Sequence, residues 1–208
     1  MTLDDLGGSP VNGPKPGTLQ WAKELIHGRQ NFTPRRLVEP GPSPTQLEAL
    51  LQAASAAPDH GELKPWRFVL IPDSKRLRLG EIFRSALLER DVEATPQQQL
   101  EASEKARRAP SLLLAIVDVA PKEKPIPAFE RLISLGCAIQ NMLLLARAMG
   151  YGSGLSSGQA LGSAVLRRAF ALSANEHATC FVSFGTVSKA RPLRSRPTSA
   201  EILSAFDE

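Results

Sequence analysis

The chain has 208 residues, 42% of them apolar and 22% charged, with a net charge of +4. This length supports one domain with a sizeable core, and this composition reads as soluble and globular. Aromatic residues make up only 5%, so the core is expected to be Leu, Ala and Val. The basic balance suits either a solvated surface or an anion site. Nucleic acid is disfavoured, because binding to unstacked bases uses aromatics interleaved with basic residues; Arg35, Arg36 and the arginines of 191–196 have only Phe32 near them. A small phosphate ligand is preferred. Cys137 and Cys180 stand far apart, with no Cys-x-x-Cys or His-x-x-x-His spacing. No metal site is indicated, and both thiols read as small buried residues of a protein in a reducing compartment.

Residues 1–17, rich in Gly, Pro and Asp, read as a flexible N-terminal tail and not as a signal peptide; residues 18–208 are the single domain. A helix is expected from about Leu19 to Gly28, with Leu19, Ala22, Leu25 and Ile26 on one face and Gly28 as its stop. Arg29 to Pro42, broken by Pro34, Pro40 and Pro42, reads as irregular. Ser43-Pro44-Thr45-Gln46 opens a second helix, with a capping serine, a proline at the first helical position and a capping-box glutamine. It should run to about Ala57. Its Ala-rich end permits close approach of a neighbour, or reflects helix propensity alone. Arg67 to Ile71 is a strand and Ser74 to Arg90 a helix. Thr95-Pro96-Gln97-Gln98 repeats the capping grammar and opens a helix to about Arg107. Leu112 to Val119 is continuously apolar, hence a buried strand. Pro127 to Met149 is the longest helix, apolar nearly all round, and is expected at the centre of the molecule. The longest apolar stretch, around Met142 to Ala148, is interrupted by Arg147 and is short for a membrane span, so a cytoplasmic location is expected. Tyr151 to Leu155 is a short strand, Leu161 to Leu172 a helix, and Ala178 to Gly185 a strand. From Ser188 the chain is basic and Pro-broken. Helices and strands mix without regular alternation, which argues for an α+β layer structure. No Gly-x-Gly-x-x-Gly or Walker-type Lys follows a strand, which argues against a Rossmann or P-loop site.

Four segments carry ligand-binding chemistry. Arg29-Gln30-Asn31 pairs a guanidinium fork suited to phosphate with two amides that donate and accept; taken alone, it reads sooner as a charged helix terminus. Ala57-Pro58-Asp59-His60-Gly61-Glu62-Leu63-Lys64-Pro65-Trp66-Arg67-Phe68 gathers an acid, an imidazole, an ammonium and an indole at a strand entrance, where Asp59 can cap the turn or orient His60. Gly150 to Gly158 holds four glycines and three serines among nine residues, so a partner backbone can come close and main-chain N–H groups can face an anion. Arg194-Ser195-Arg196-Pro197 can clamp a phosphate or simply be solvated.

Taken in order, these pieces resemble the nitroreductase family of flavin mononucleotide (FMN) enzymes. The Pro58-Asp59-His60 form of the loop resembles its branch of short NAD(P)H nitroreductases, and the resemblance runs from about residue 19 to 197. It implies an antiparallel-rich mixed sheet flanked by helices and an intertwined homodimer with FMN at the interface, which the long apolar helix suits. By the same resemblance Arg29, Gln30 and Asn31 hold phosphate and ring. His60 sits at the flavin, Ser156, Ser157 and Gly158 contact the cofactor, and Arg194 and Arg196 meet the phosphate. NADH or NADPH would pass hydride through flavin N5 to a nitroaromatic, quinone or enone by a ping-pong route, with no catalytic side chain and no metal. An FMN carrier or partner subunit with little turnover is the alternative. The chain departs from the pattern at Arg-Gln-Asn, where the family usually reads Arg-Arg-Ser, and at Ser156, where the close branch has Arg.

Overall fold

Strand β3, Ser111–Asp118, is apolar without alternation because both of its faces are covered. Leu113, Ala115 and Val117 enter one core and Leu112, Leu114 and Ile116 the other, as the two-residue period of a strand requires. The computed structural model, which describes residues 15, 17–120 and 125–206, builds a five-stranded sheet around this strand. β2 (Trp66–Leu70) pairs with one side of β3 and β5 (Glu176–Val187) with the other. β5 in turn carries β4 (Gly152–Ser156) on its far side and the two-residue β1 (Leu37–Val38) at its C-terminal end. All these ladders are antiparallel; a single parallel bridge joins Asn31 to Ser153.

α2 (Pro44–Ser55) and α5 (Ala128–Ala148) cover one face of the sheet. α3 (Arg76–Arg90) and α6 (Ala164–Ala169) cover the other, with α4 (Pro96–Glu104) packed on α3. Both expected capping boxes form. Gln46 N–H donates to Ser43 Oγ while Ser43 N–H donates to Gln46 Oε1, and Thr95 and Gln98 repeat the exchange. Such a cap stabilises a helix by about 1 kcal/mol. The Ala-rich end of α2 lies against α5, where Asn141 Nδ2 donates to Ala53 O at 3.1 Å.

Some boundaries differ from expectation. The Leu161–Leu172 helix is two pieces, a 3-10 turn Gln159–Gly162 and then α6, because Ser163 Oγ caps a fresh start by accepting from Leu166 N–H. β5 begins at Glu176 and ends at Val187, longer at both ends than its apolar centre. The irregular run after α1 (Thr18–Gly28) contains β1, and the basic tail contains a four-residue helix, α7 (Ser199–Ile202). Gly28 is not a left-handed stop; a Cβ there would lie on the Arg147 guanidinium. The expected N-terminal tail lies outside the described residues apart from Lys15 and Gly17.

α5 corrects the expectation of a central helix. Leu135, Ala138, Ile139, Met142 and Ala146 form one buried stripe on the sheet, while Phe129 and Ile133 on the outer side are 62% and 60% exposed. By length and composition the whole helix, unlike its Met142–Ala148 part alone, is long enough to cross a membrane. Here the sheet covers the buried stripe, and the outer apolar residues Phe129, Leu132 and Ile133 are left open. α1 has no buried residue, and its Trp21 is 57% exposed.

Candidate functional site

Gly154 sets the first half of the site. A Cβ at this position would fall 1.9 Å from the Phe32 carbonyl oxygen, so only glycine lets the segment after α1 lie along β4. Phe32 N–H then donates to Ser153 O at 2.9 Å, and Leu155 N–H donates to Asn31 Oδ1 at 2.7 Å. This joint holds half-buried Arg29 and Gln30 beside the end of β4. The C-terminal arm returns here: Gln30 Nε2 donates to Arg191 O at 3.2 Å and Arg196 Nη2 to Arg29 O at 2.8 Å. Burial, and then the like charge of Arg196, pull the Arg29 guanidinium below its ordinary pKa. Among the described residues neither arginine has a carboxylate within 4 Å, so the pair has the charge and the donors to receive an anion. Arg194 is exposed on the same arm.

A cavity of about 460 Å³ opens beside this joint, on the α3 and α4 side of the sheet. Its floor is apolar, with Phe83, Leu87, Leu112, Leu161 and Phe181. Ser156, Ser157 and Gly158 form one wall, and Gln98, Lys105 and Arg108 another. The volume lies in the usual range for a small-molecule pocket, about 300–1,000 Å³. Gln98, Lys105 and Arg108 were not anticipated, because charged residues at a helix end read as a solvated face. The available signal was a cluster of bases, Lys105, Arg107 and Arg108, directly before the most apolar strand.

The Pro58–Pro65 loop is built for rigidity. Asp59 caps it, accepting Lys64 N–H at 2.7 Å through its side chain and Glu62 N–H through its carbonyl. Gly61, Glu62 and Lys64 have φ of 76°, 55° and 48°. The left-handed region costs a non-glycine residue about 1 kcal/mol or more, so Glu62 and Lys64 persist there because Asp59 and the Trp66 anchor hold the loop. Trp66 Nε1 donates to Ser134 Oγ at 2.9 Å. His60 is held outward, its Nδ1 2.6 Å from Glu130 Oε2.

That contact places His60 at the N-terminal end of α5, whereas Arg29 follows Gly28, which abuts Arg147 at the C-terminal end. At 1.5 Å per residue, Glu130 and Arg147 are about 25 Å apart along the helix. The structure therefore brings together Arg29, Gln30, Asn31 and Arg196, and Asn31 ties this cluster to Leu155, just before Ser156, Ser157 and Gly158; it sets His60 apart, at the other end of α5.

The sequence profile of the nitroreductase family matches residues 31–186. The chain belongs to this family. It is 34% identical over 168 residues to "Putative NAD(P)H nitroreductase YdjA" of Escherichia coli strain K12, covering 79% of this chain and 87% of that one. It is 30% identical over 152 residues to a "Putative NAD(P)H nitroreductase" of Haemophilus influenzae, covering 73% and 82%. Among solved structures, a nitroreductase-like protein from Bacillus cereus superposes with a TM-score of 0.72 at 20% identity, covering 89% of this chain and 95% of that one. The NADPH:FMN oxidoreductase of Vibrio harveyi superposes at 0.67 with 16% identity, covering 89% and 76%. With the family come an FMN cofactor and NADH or NADPH as reductant. The residues present fit that cofactor: paired arginines for a phosphate, an apolar floor for a planar ring system, and serine, glycine and glutamine groups for its polar edge.

Proposed function

We propose that residues 18–208 act as one FMN-binding oxidoreductase domain that passes hydride from NAD(P)H to a small acceptor of nitroaromatic, quinone or enone type in alternate half-reactions. The observation that carries this reading is the Arg29–Arg196 pair, which the returning C-terminal arm holds together through the Arg196 Nη2 to Arg29 O bond. Bound FMN supplies the two-electron chemistry. The chain's own residues bind and orient. Arg29 and Arg196, with Arg194 on the same arm, hold the phosphate. Asn31, Gln30, Ser156, Ser157 and Gly158 offer amide, hydroxyl and backbone groups to the ring and ribityl chain. The apolar floor excludes water from one face. No nucleophilic side chain is needed.

The active unit in this proposal is a homodimer. Packing the open face of α5 against that of a second copy, antiparallel about a two-fold axis, places the His60 end of one helix beside the Arg29 end of the other. Leu132 and Ile133 on α5, and Trp21 on α1, are exposed apolar residues that such a partner covers. His60 then reaches the flavin of the partner copy. A cytoplasmic, soluble enzyme is the matching location. The test is anaerobic mixing of purified protein with FMN and each nicotinamide while recording flavin absorbance. Bleaching that reverses on adding a nitroaromatic or quinone is expected. Flavin that binds but does not bleach makes the chain a carrier; absence of flavin binding refutes the reading.

A further inference from the structure

One wall of the cavity is positive, carrying Arg90, Lys105 and Arg108. Among the described residues, Arg35, Arg90, Lys105 and Arg108 have no carboxylate within 4 Å, whereas Arg67 and Arg78 are paired. Glu101 and Asp91 also line the cavity, but neither closes on these cations. Arg108 is half-buried, and burial followed by the like charge of Arg35 draws its pKa down. Glu104 and Glu101 oppose this more weakly. Arg35 follows Pro34, itself a lining residue. Arg108 thus lines the cavity with Lys105 and Arg90, and the exposed Arg35 lies near enough to add its charge; these cations are separate from Arg29 and Arg196, which the reading above assigns to the single phosphate of FMN.

The turn carrying Arg108 is also fixed. Arg76, 6% exposed, donates from Nη1 to Ala106 O and from Nη2 to Pro110 O, both at 3.1 Å, so it grips the backbone on either side of Arg108. Between them buried Ala109 is held at φ 65°, a conformation that costs an alanine about 1 kcal/mol. An arginine held this firmly beside an apolar floor loses little entropy when it binds.

Resting on the FMN reading above, we infer that Arg108, with Lys105 and Arg35, is a second anion-binding point for the carboxylate or phosphate of the planar molecule that shares the cavity with FMN. The apolar floor and the cationic wall together select a flat ring bearing a negative group. That group can belong to the acceptor or to the reductant, and the two are separable by experiment. With FMN-loaded enzyme, kcat/KM is measured for 4-nitrobenzoate and for 4-nitrobenzamide, and in a second arm for NADH and for reduced nicotinamide riboside, which has no phosphate. The same ratios are taken for Arg108→Gln and for Arg35→Gln, the latter an exposed change that keeps the test alive if the first fails to fold. FMN affinity of each variant is titrated separately. The expected result is a preference for the anionic member of one pair that falls about tenfold or more on losing the charge, with FMN affinity held. Loss in the first arm assigns the point to the acceptor, and loss in the second to the reductant. Wild-type protein that turns over both pairs without charge preference, or an Arg108→Gln protein that loses FMN while the ratios stay fixed, overturns the inference. Wild-type protein that binds no FMN overturns the functional reading beneath it.

Discussion

Replacing Gly154 by alanine tests how the Arg29 segment is positioned. Its backbone is ordinary strand, so conformation does not demand glycine; space does. The new methyl would sit 1.9 Å from Phe32 O and 3.0 Å from Phe32 C, and an ordinary contact requires the 31–33 backbone to retreat by about 1 Å or more. That retreat breaks the Phe32 N–H to Ser153 O and Leu155 N–H to Asn31 Oδ1 bonds. At about 0.5–1.5 kcal/mol each, the loss is about 1–3 kcal/mol. For a domain of this size Tm falls by about 2–4 °C per kcal/mol. Arg29 moves with the segment, and loss of its charged hydrogen bonds weakens FMN binding ten- to a hundredfold. The assays are a circular dichroism melt and flavin fluorescence quenching, with Gly162→Ala as control because its Cβ meets nothing within 4 Å. A Gly154→Ala protein with wild-type Tm would show that Phe32 does not pack there. A lowered Tm with unchanged FMN affinity would show that the joint to β4 does not position the cofactor site.

Arg29→Ala should weaken FMN binding by about 1.5–3 kcal/mol and leave riboflavin, which lacks phosphate, unaffected; equal loss for both ligands contradicts a phosphate role. Gly136→Arg places bulk where a Cβ meets nothing within one chain, so it should fold, sediment as a monomer and bind FMN poorly; a dimer with full FMN content contradicts the α5 interface. Ala171 ends α6 at φ 49°, with Leu172 N–H donating to Arg167 O, so Ala171→Gly should stabilise by about 1 kcal/mol in a thermal melt. Glu176 takes hydrogen bonds from Arg67 Nε and Ser173 N–H, and the Arg67 bond chiefly lowers its pKa. A carboxylate lowered on folding contributes stability above its unfolded pKa and loses it as pH falls through the folded value. Glu176→Gln should therefore cost about 1 kcal/mol or less at pH 7, with the difference from wild type shrinking as pH falls below the unfolded value of about 4.3 and vanishing below the lower folded value; a difference that persists below the folded value assigns the effect to packing.

Local grammar made much of this fold legible. Ser43 and Thr95 announce their helices because a capping box needs only four residues, and β3 declares itself buried on both faces by an unbroken apolar run. β1 was too short to read, and Glu176, His177 and Thr186 disguised the ends of β5 by their polarity. The Leu161–Leu172 segment kept helical spacing across a break that only the Ser163 cap reveals. α5 shows the deeper limit: apolarity marks what must be covered but does not say whether the cover is the chain's own sheet or another molecule. The site was legible where close approach depends on glycine, as at Gly154. It was not legible at Arg108, whose meaning depends on a wall assembled from α4 and β4, or at His60, whose loop looks adjacent to the rest only along the sequence.

In the proposed homodimer, the placement of His60 and Arg29 at opposite ends of α5 makes flavin content a quantity governed by mass action. If each cofactor is held by two copies, dilution dissociates the scaffold and the ligand together, and added FMN drives the copies back into association. Apparent FMN affinity then rises with protein concentration, and the yellow colour of a dilute sample reports on assembly as much as on binding.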